Sequence, residues 1–569
     1  MVRDARSPAA GATPPGAARS AYDDLPWLGL YEPGQPAGIA LEHTTALDMF
    51  SAAVSRAPDQ VALYYFDGAV TMRELDEQSD ALAVALQERG FGAGARLAIY
   101  LQNVPQWVVT LVATWKAGGA AVAVNPMNRE RELGYLLQDS GATVLVCHPH
   151  LYEQVACSVV PETAVETVLT ASELDYQTRD DVRVFAGVER SGPAGTEDLS
   201  ELIHGYLGQR PAPATVRSED VAVLTYTSGT TGVPKGAMNT HGNVVFTSQA
   251  YRDWIRLSET DVVLGAAPLF HITGLIGHVG LCLLLPAPLV LGYRFEPAVV
   301  RDLVVERRPT FVIMAITAFG ALMNLADSKP DDYASLRKVY SGGAAVAPAM
   351  REKVGHSLGL DVHQAYGLTE TTSPSHLQPL GSEAPVDEST GALSVGVPIY
   401  DTVVRIVDED GMTLPPGEVG ELETEGPQVV PGYWGKPDAT AESLPGGRLR
   451  TGDVGFMSPE GWFFIVDRKK DMINAAGYKV WPREVEDVLY THPMVREAAV
   501  VGVPDEYRGE TVKAFVSLRP DAKVTPDELV AFCKQQMAAY KYPRDLVVLD
   551  ELPKTVTGKI LRRELRNAD

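Results

Sequence analysis

From about Leu47 onward, short apolar runs alternate with stretches of helical periodicity. Ala93–Leu101 reads as a strand and Gln106–Lys116 as the helix behind it, with Ala142–Val146 as a further strand. Such β–α alternation predicts parallel sheets with helices packed on their faces. Five apolar runs in the middle of the chain each end in a polar or glycine-rich turn. Val221–Tyr226 runs into Thr227–Gly232, Val262–Ala267 into Pro268–His271, and Thr310–Ala315 into Ile316-Thr317. Lys338–Tyr340 runs into Ser341–Ala344, and Asp361–Ala365 into Tyr366–Thr371. Ligands of open α/β sheets bind beyond the carboxyl ends of the strands, so these turns are expected to converge on one site.

After Gly391 the texture changes. Strand-like runs with Gly and Pro turns continue to Val466, as in an antiparallel or barrel-like subdomain. The charged stretch Asp467-Arg468-Lys469-Lys470-Asp471 follows, and then Pro482–Tyr490 reads as helix, Ala498–Val503 as strand and Thr525–Ala538 as helix. A domain boundary is placed at the charged stretch; the competing reading is a solvated loop. The expectation is an α/β fold with a large N-terminal domain of parallel α/β sheets plus a β-barrel-like subdomain, and a smaller mobile α+β C-terminal domain. Residues 1–25 form a disordered tail, 26–466 the large domain (barrel-like part about 391–466), 467–471 a hinge and 472–569 the small domain.

A chain of 569 residues exceeds what a single core holds, which agrees with two or more domains. The formal charge of −24 opposes nucleic-acid binding on average, without excluding a local basic pocket. The four cysteines, Cys147, Cys157, Cys282 and Cys533, form no C-x-x-C pair and read as reduced thiols of a cytosolic protein. Gly274–Tyr293 is the longest apolar stretch, but Pro286 and Pro288 interrupt it, so it reads as buried core. The N-terminal tail lacks the apolar block of a secretory signal; a transit peptide stays open.

The sharpest chemical motif is Tyr226-Thr227-Ser228-Gly229-Thr230-Thr231-Gly232-Val233-Pro234-Lys235-Gly236. Its glycines let backbone N–H groups wrap an anion, its four hydroxyls add donors and Lys235 adds charge. Pro234 and Gly236 flank the lysine, so this is not the common P-loop. The stretch resembles the signature of the adenylate-forming superfamily of acyl-CoA synthetases, luciferases and peptide-synthetase adenylation domains. Six further stretches match in the family's order: Pro268–His271, Gly342-Gly343-Ala344, Tyr366–Glu370, Thr451-Gly452-Asp453, Asp467–Asp471 and Pro553–Lys559. Together they cover the chain from about Leu47 to its end.

The resemblance implies ATP, Mg²⁺ and CoA as ligands, and a role for each motif. Thr230, Thr231 and Lys235 would hold the β- and γ-phosphates, with Thr227, Ser228, Gly229 and Gly232 completing the loop. Glu370 would ligate Mg²⁺, although a carboxylate there also suits a helix cap. Tyr366 would stack on adenine with Gly342, Gly343 and Ala344 lining the other side, and Gly367 and Thr369 belong to the same nucleotide set. Asp453 and Arg468 would reach the ribose, whereas on its own Asp453 after a glycine reads as a turn residue. Lys559 would approach the substrate carboxylate and the α-phosphate. Lys470 aligns with the hinge position, about which the C-terminal domain would rotate to exchange Lys559 for the Ala476-Gly477-Tyr478 loop, where Gly477 would admit the pantetheine arm.

His271 resembles the gate residue between acyl pocket and nucleotide site; its bland reading is a satisfied core histidine. No carboxylate accompanies it, which disfavours an amino-acid substrate. Met314–Met323 and Phe246–Ile255 align with pocket walls. Gly477–Glu486 is most similar to bacterial fatty-acyl-CoA ligases, so a medium- or long-chain fatty acid is expected. The alternatives are an aryl or other carboxylate–CoA ligase and an adenylation enzyme loading a carrier protein. The expected setting is cytoplasmic, as a monomer or homodimer, with peripheral membrane contact left open.

Overall fold

The computed structural model describes residues 20–227, 233–388, 390–475, 478–505, 509–520, 522–555 and 558–566. Two sheets share the large domain. The seven-stranded one runs, edge to edge, Glu197–Asp198, Thr167–Thr170, Val144–Cys147, Arg96–Tyr100, Ala120–Ala123, Val221–Thr227 and Lys235–Thr240. Every neighbouring pair is parallel except the last, a hairpin. The nine-stranded sheet has a parallel centre containing Val362–Leu368, Lys338–Ser341, Phe311–Met314, Val263–Leu264, Leu289–Leu291 and Val61–Tyr65. Antiparallel strands close its two edges, Ser373–Leu377 with Val397–Pro398 at one and Gly68–Thr71 at the other. The central strands are buried on both faces, as their near-continuous Val, Ile and Leu content requires.

The antiparallel texture after Gly391 is a four-stranded sheet, Val403–Val407, Gly420–Glu425, Leu449–Met457 and Phe463–Arg468. Beyond a single turn of 3-10 helix at Lys469–Asp471 lies the small α+β domain. Its sheet orders Tyr478–Val480, Ile473–Ala475, Gly509–Leu518 and Val495–Asp505, and Asp545–Val548 pairs in parallel with Gly509–Leu518. The helices Pro482–Thr491 and Pro526–Gln536 each begin with Pro, whose missing N–H is harmless in the first turn.

The helix expected behind the first strand spans Pro105–Lys116, and the strands begin or end within a few residues of the expected runs. One turn is misread. The strand Val362–Leu368 runs through Tyr366 and Gly367 instead of stopping at Ala365, because it forms a hairpin with Ser373–Leu377. The reversal comes later, at Thr372 and Ser373, which both have positive φ. Gly274–Tyr293 is buried, broken into short helical turns and the strand Leu289–Leu291. Among the described residues no helix is long and apolar enough to cross a membrane. All four cysteines are free; Cys147, Cys282 and Cys533 are buried and Cys157 is exposed. Residues 1–19 of the expected tail lie outside the described residues, and its last part is no tail: Ala21–Asp24 forms a 3-10 turn capped by Ser20, with Tyr22 buried in the core.

The two large sheets are joined by polar groups as well as apolar packing. Asn103 donates through Nδ2 to the Gly265 and Ala267 carbonyls at 3.2 and 3.1 Å and accepts from Leu269 N at 2.9 Å. It thereby fixes the chain just ahead of His271. Beside it, buried Glu173 faces His150 Nδ1 at 3.1 Å, His148 Nδ1 at 3.4 Å and the Tyr293 hydroxyl at 3.3 Å. Burial alone would raise its pKa, but the hydrogen bond to His150 and the attraction of the two neighbouring imidazoles outweigh it and hold the carboxyl at about 2.

A carboxyl depressed below its ordinary value stabilises the fold above that value and loses the contribution as pH falls towards the folded one. Glu173→Gln is therefore expected to destabilise the fold at pH 7, by a margin that narrows as pH falls from about 4.5 towards 2. Thermal melts of both proteins across that range test this; a gap independent of pH would refute it.

Candidate active site

The glycine-rich motif is the mouth of a hairpin. Thr227 ends one strand, Lys235 opens the next, and the two residues are paired in register. Ser228, Gly229, Thr230, Thr231 and Gly232 lie outside the described residues. The Lys235 ammonium sits 5.0 Å from the centre of the Tyr433 ring, a cation–π distance. The Tyr433 hydroxyl donates to Glu370 Oε1 at 2.7 Å. One aromatic side chain thus touches the lysine from the seven-stranded sheet and the carboxylate beside the nine-stranded sheet. The main chain around it is pinned in turn: Trp434 N donates to Gly236 O at 2.8 Å and Met238 N to Gly432 O at 3.1 Å.

Glu370 lies in the single 3-10 turn Thr369–Thr371, directly after the strand carrying Tyr366 and Gly367. A Cβ on Gly367 would overlap the Ser373 carbonyl, so only glycine lets the hairpin close there. Gly342, Gly343 and Ala344 follow the adjacent strand Lys338–Ser341, and a Cβ on Gly342 would stand 3.1 Å from Ala365 O. The motifs expected to flank adenine are therefore neighbours at the carboxyl ends of adjacent strands.

Asp453 is 4% exposed, on the strand Leu449–Met457. Its Oδ2 accepts from the Tyr366 hydroxyl at 2.7 Å, and its Oδ1 pairs with Arg468 Nε at 2.9 Å. Asp453 and Arg468 are direct cross-strand partners. Each carboxylate oxygen keeps a second lone pair, so two more hydroxyl donors have acceptors there. The coupling raises the Arg468 pKa, chiefly through the Asp453 charge.

Lys559 comes to the same place from the small domain. Its turn is closed by Thr555 N to Lys559 O at 2.7 Å, Gly558 N to Thr555 O at 2.9 Å and Lys559 N to Thr555 Oγ1 at 3.1 Å. The half-buried ammonium is pushed down to about 8, first by burial and then by the Arg468 charge, against the pull of Asp453. His271 caps a short helical turn through Nδ1, 3.4 Å from Thr273 N. Burial, and then the Lys559 charge, push its pKa down to about 4, so the ring is neutral at physiological pH.

Behind Lys559 lies an ionic cluster. Arg562 bonds Glu486 through both carboxylate oxygens at 2.8 and 2.7 Å, Asp467 at 2.9 Å and Asp471 at 3.4 Å. Arg566 pairs with Asp471 at 2.8 Å, and Asp467 Oδ2 accepts from Arg483 N at 3.0 Å. Lys470, between Asp467 and Asp471, is exposed. Ala476 and Gly477 lie outside the described residues. The helix His241–Trp254 packs against the helical turn Leu275–Gly280 that follows His271, and the helix Ile316–Met323 starts directly after the strand Phe311–Met314. Within Phe246–Ile255, Arg252 is paired with Glu42 at 2.6 Å and with Asp253 at 2.7 Å.

The described residues thus join Lys235, Tyr366, Glu370, Asp453, Arg468, His271 and Lys559 by contact or by electrostatic coupling. Tyr433 and Asn103 escaped the sequence reading, since neither lies in a stretch whose composition carries chemistry. Among the described residues no three His, Cys, Asp or Glu side chains cluster as a metal cage. The lone Glu370 carboxylate instead suits a hard cation that takes most of its ligands from phosphates and water.

The AMP-binding enzyme family matches residues 50–434, and its AMP-binding enzyme C-terminal domain matches residues 484–559. A long-chain-fatty-acid–CoA ligase of Bacillus subtilis (strain 168) is 34% identical over 95% of this chain and 97% of its own. A feruloyl-CoA synthase of Amycolatopsis sp is 37% identical over 90% and 96%. Among solved structures, an anthranilate CoA ligase in complex with anthranoyl-AMP superposes with a TM-score of 0.83 at 27% identity, covering 94% of this chain and 98% of that one. ATP-bound MatB from Rhodopseudomonas palustris gives 0.80 at 27% identity over 92% and 98%. The chain belongs to the AMP-binding enzyme family and, within it, to the AMP-forming acid–CoA ligases.

Proposed function

We propose that this chain joins a medium- or long-chain fatty acid to ATP as an acyl adenylate and then passes the acyl group to the thiol of CoA, using one cleft for both steps. The observation that carries the reading is the position of Lys559. A lysine of the small domain is half-buried and coupled to Asp453, Arg468 and His271, all from the large domain or its last strand. In the first step a carboxylate oxygen attacks the α-phosphorus and pyrophosphate leaves. Two anions must meet, and a fixed ammonium offsets both their repulsion and the charge that develops. Lys559 takes that role. Thr230, Thr231 and Lys235 hold the β- and γ-phosphates, Asp453 and Arg468 the ribose, and Tyr366 the adenine. Glu370 would hold Mg²⁺, which when bound neutralises phosphate charge. In the second step the CoA sulfur attacks the acyl carbonyl and AMP leaves.

The fatty-acid reading draws support from the long-chain-fatty-acid–CoA ligases among the relatives and from the apolar helix Ile316–Met323 beside the neutral His271. The feruloyl-CoA synthase similarity favours a second reading, an aryl acid. Turnover with ATP, Mg²⁺, CoA and fatty acids of graded length beside benzoates and cinnamates decides between them. Highest kcat/KM on an alkyl acid is expected; highest on an aryl acid overturns the first reading. Acyl-carrier protein in place of CoA is expected to give no thioester.

Lys559→Ala is expected to lose about 10²–10³-fold in substrate-dependent pyrophosphate exchange, while thioester formation from supplied acyl adenylate stays near the parent rate. Equal loss in both removes Lys559 from the first step. An ammonium is charged below its pKa, so kcat/KM for exchange should fall as pH rises through about 8. Lys559→Arg, whose charge persists, should abolish that limb.

Rotation of the small domain about Lys470 accounts for how one cleft serves both steps. Fixing φ there with Lys470→Pro is expected to leave pyrophosphate exchange near the parent rate and to slow thioester formation at least about tenfold. An undisturbed second step places the pivot elsewhere.

A further inference from the structure

The turn that carries Lys559 meets the large domain at Gly558. Gly558 has φ of 80°, in the left-handed region. A Cβ added there would overlap the hydroxyl oxygen of Thr317 and lie 3.3 Å from Thr317 Cβ and 3.8 Å from Ala315 Cβ. Thr317 stands in the first turn of the helix Ile316–Met323, whose N-cap is Ala315. That helix directly follows the strand Phe311–Met314, in the middle of the nine-stranded sheet, and cannot easily give way. The base of the turn is no freer. Lys554 and Ile560 form a bridge, Leu561 N donates to Pro553 O at 2.8 Å, and Arg562 is clamped by Glu486 and Asp467. The turn is thus rigid behind and blocked in front, and the lysine next to the blocked glycine is the residue that reaches the cleft.

We propose that Thr317 is a positioning residue for Lys559: its side chain is the stop on which the Gly558 backbone seats, and this seating sets how far the lysine advances towards Asp453 and His271. The idea rests on Lys559 acting in adenylate formation. With Thr317 in place no further side chain fits between it and the Gly558 backbone, so an atom added at Gly558 pushes the turn away from the helix. A displacement of about 1 Å at a reacting centre can cost on the order of 100-fold in rate. The second step uses the small domain in another orientation, where the contact is absent. Its rate should therefore be indifferent to both residues.

A mutational cycle tests this on the full chain. Gly558→Ala is expected to slow pyrophosphate exchange about 100-fold while thioester formation from supplied acyl adenylate stays within about twofold. Thr317→Ala alone, which removes the stop, should slow exchange several-fold while leaving thioester formation unchanged, and placed on Gly558→Ala it should restore at least about tenfold of the exchange rate, since it removes the atoms that a new Cβ would strike. Thr317→Leu, which leaves the glycine intact, should reproduce the selective loss. An effect of Thr317→Leu on the acyl-binding wall would slow both half-reactions together and would overturn the proposal. So would a Gly558→Ala defect that Thr317→Ala fails to relieve, because strain at a positive φ would then explain it. If Lys559→Ala proves selective for the first step while these variants do not, the assignment of Lys559 stands and the stop alone is wrong; if Lys559→Ala slows both steps equally, the assignment itself falls.

Discussion

A charged carboxylate taken out of water needs partners in fixed places, and Asp453 is such a group. One partner, Tyr366, belongs to the nine-stranded sheet; the other, Arg468, is the last residue of the four-stranded sheet. Satisfying a single side chain therefore sets the distance between two sheets and the direction in which the chain leaves towards the small domain. Removal of either partner would leave a buried charge half-solvated, a far larger penalty than the loss of an exposed ion pair. The remaining features of the cleft are arranged around this fixed point.

The second organising fact is the company that Lys559 keeps. A chain of formal charge −24 gathers Lys235, Arg468 and Lys559 about one cleft, with Asp453 and Glu370 interleaved. Burial and Arg468 press the Lys559 ammonium to shed its proton, while any polyanion placed among these groups presses the other way. By linkage, an anionic ligand that favours the seated lysine is itself bound more tightly when the lysine is seated. Phosphate binding and domain orientation are in this way one equilibrium. The neutrality of His271 keeps it out of that balance, leaving a polar but uncharged ring between the charged cleft and the apolar helix Ile316–Met323.

The fold was largely readable from apolar runs ending in polar turns, because parallel strands buried on both faces must be continuous in Val, Ile and Leu. Lys235 was legible from its glycine- and hydroxyl-rich stretch, whereas Asp453, Arg468 and Lys559 were legible only through the resemblance of their motifs to the adenylate-forming superfamily: alone, Asp453 reads as a turn residue and the charged stretch as a solvated loop. Tyr433 was not, since an isolated tyrosine beside tryptophan looks like any packed aromatic, and its double contact with Lys235 and Glu370 exists only once two sheets are juxtaposed. Thr317 was invisible likewise. Its meaning lies in the absence of a side chain at Gly558, far along the chain. The strand through Tyr366 and Gly367 was mistaken for a turn because glycine punctuates loops more often than it permits a close hairpin.

Arg562 gathers acids from the distant part of the chain, 76 residues back to Glu486 and 95 back to Asp467. During synthesis those carboxylates emerge from the ribosome long before the guanidinium that neutralises them. Asp467 and Glu486 would repel each other in a nascent chain, and the boundary between the two domains would stay loose until the arginine arrived. The large domain can accordingly complete its folding before the small domain locks onto it.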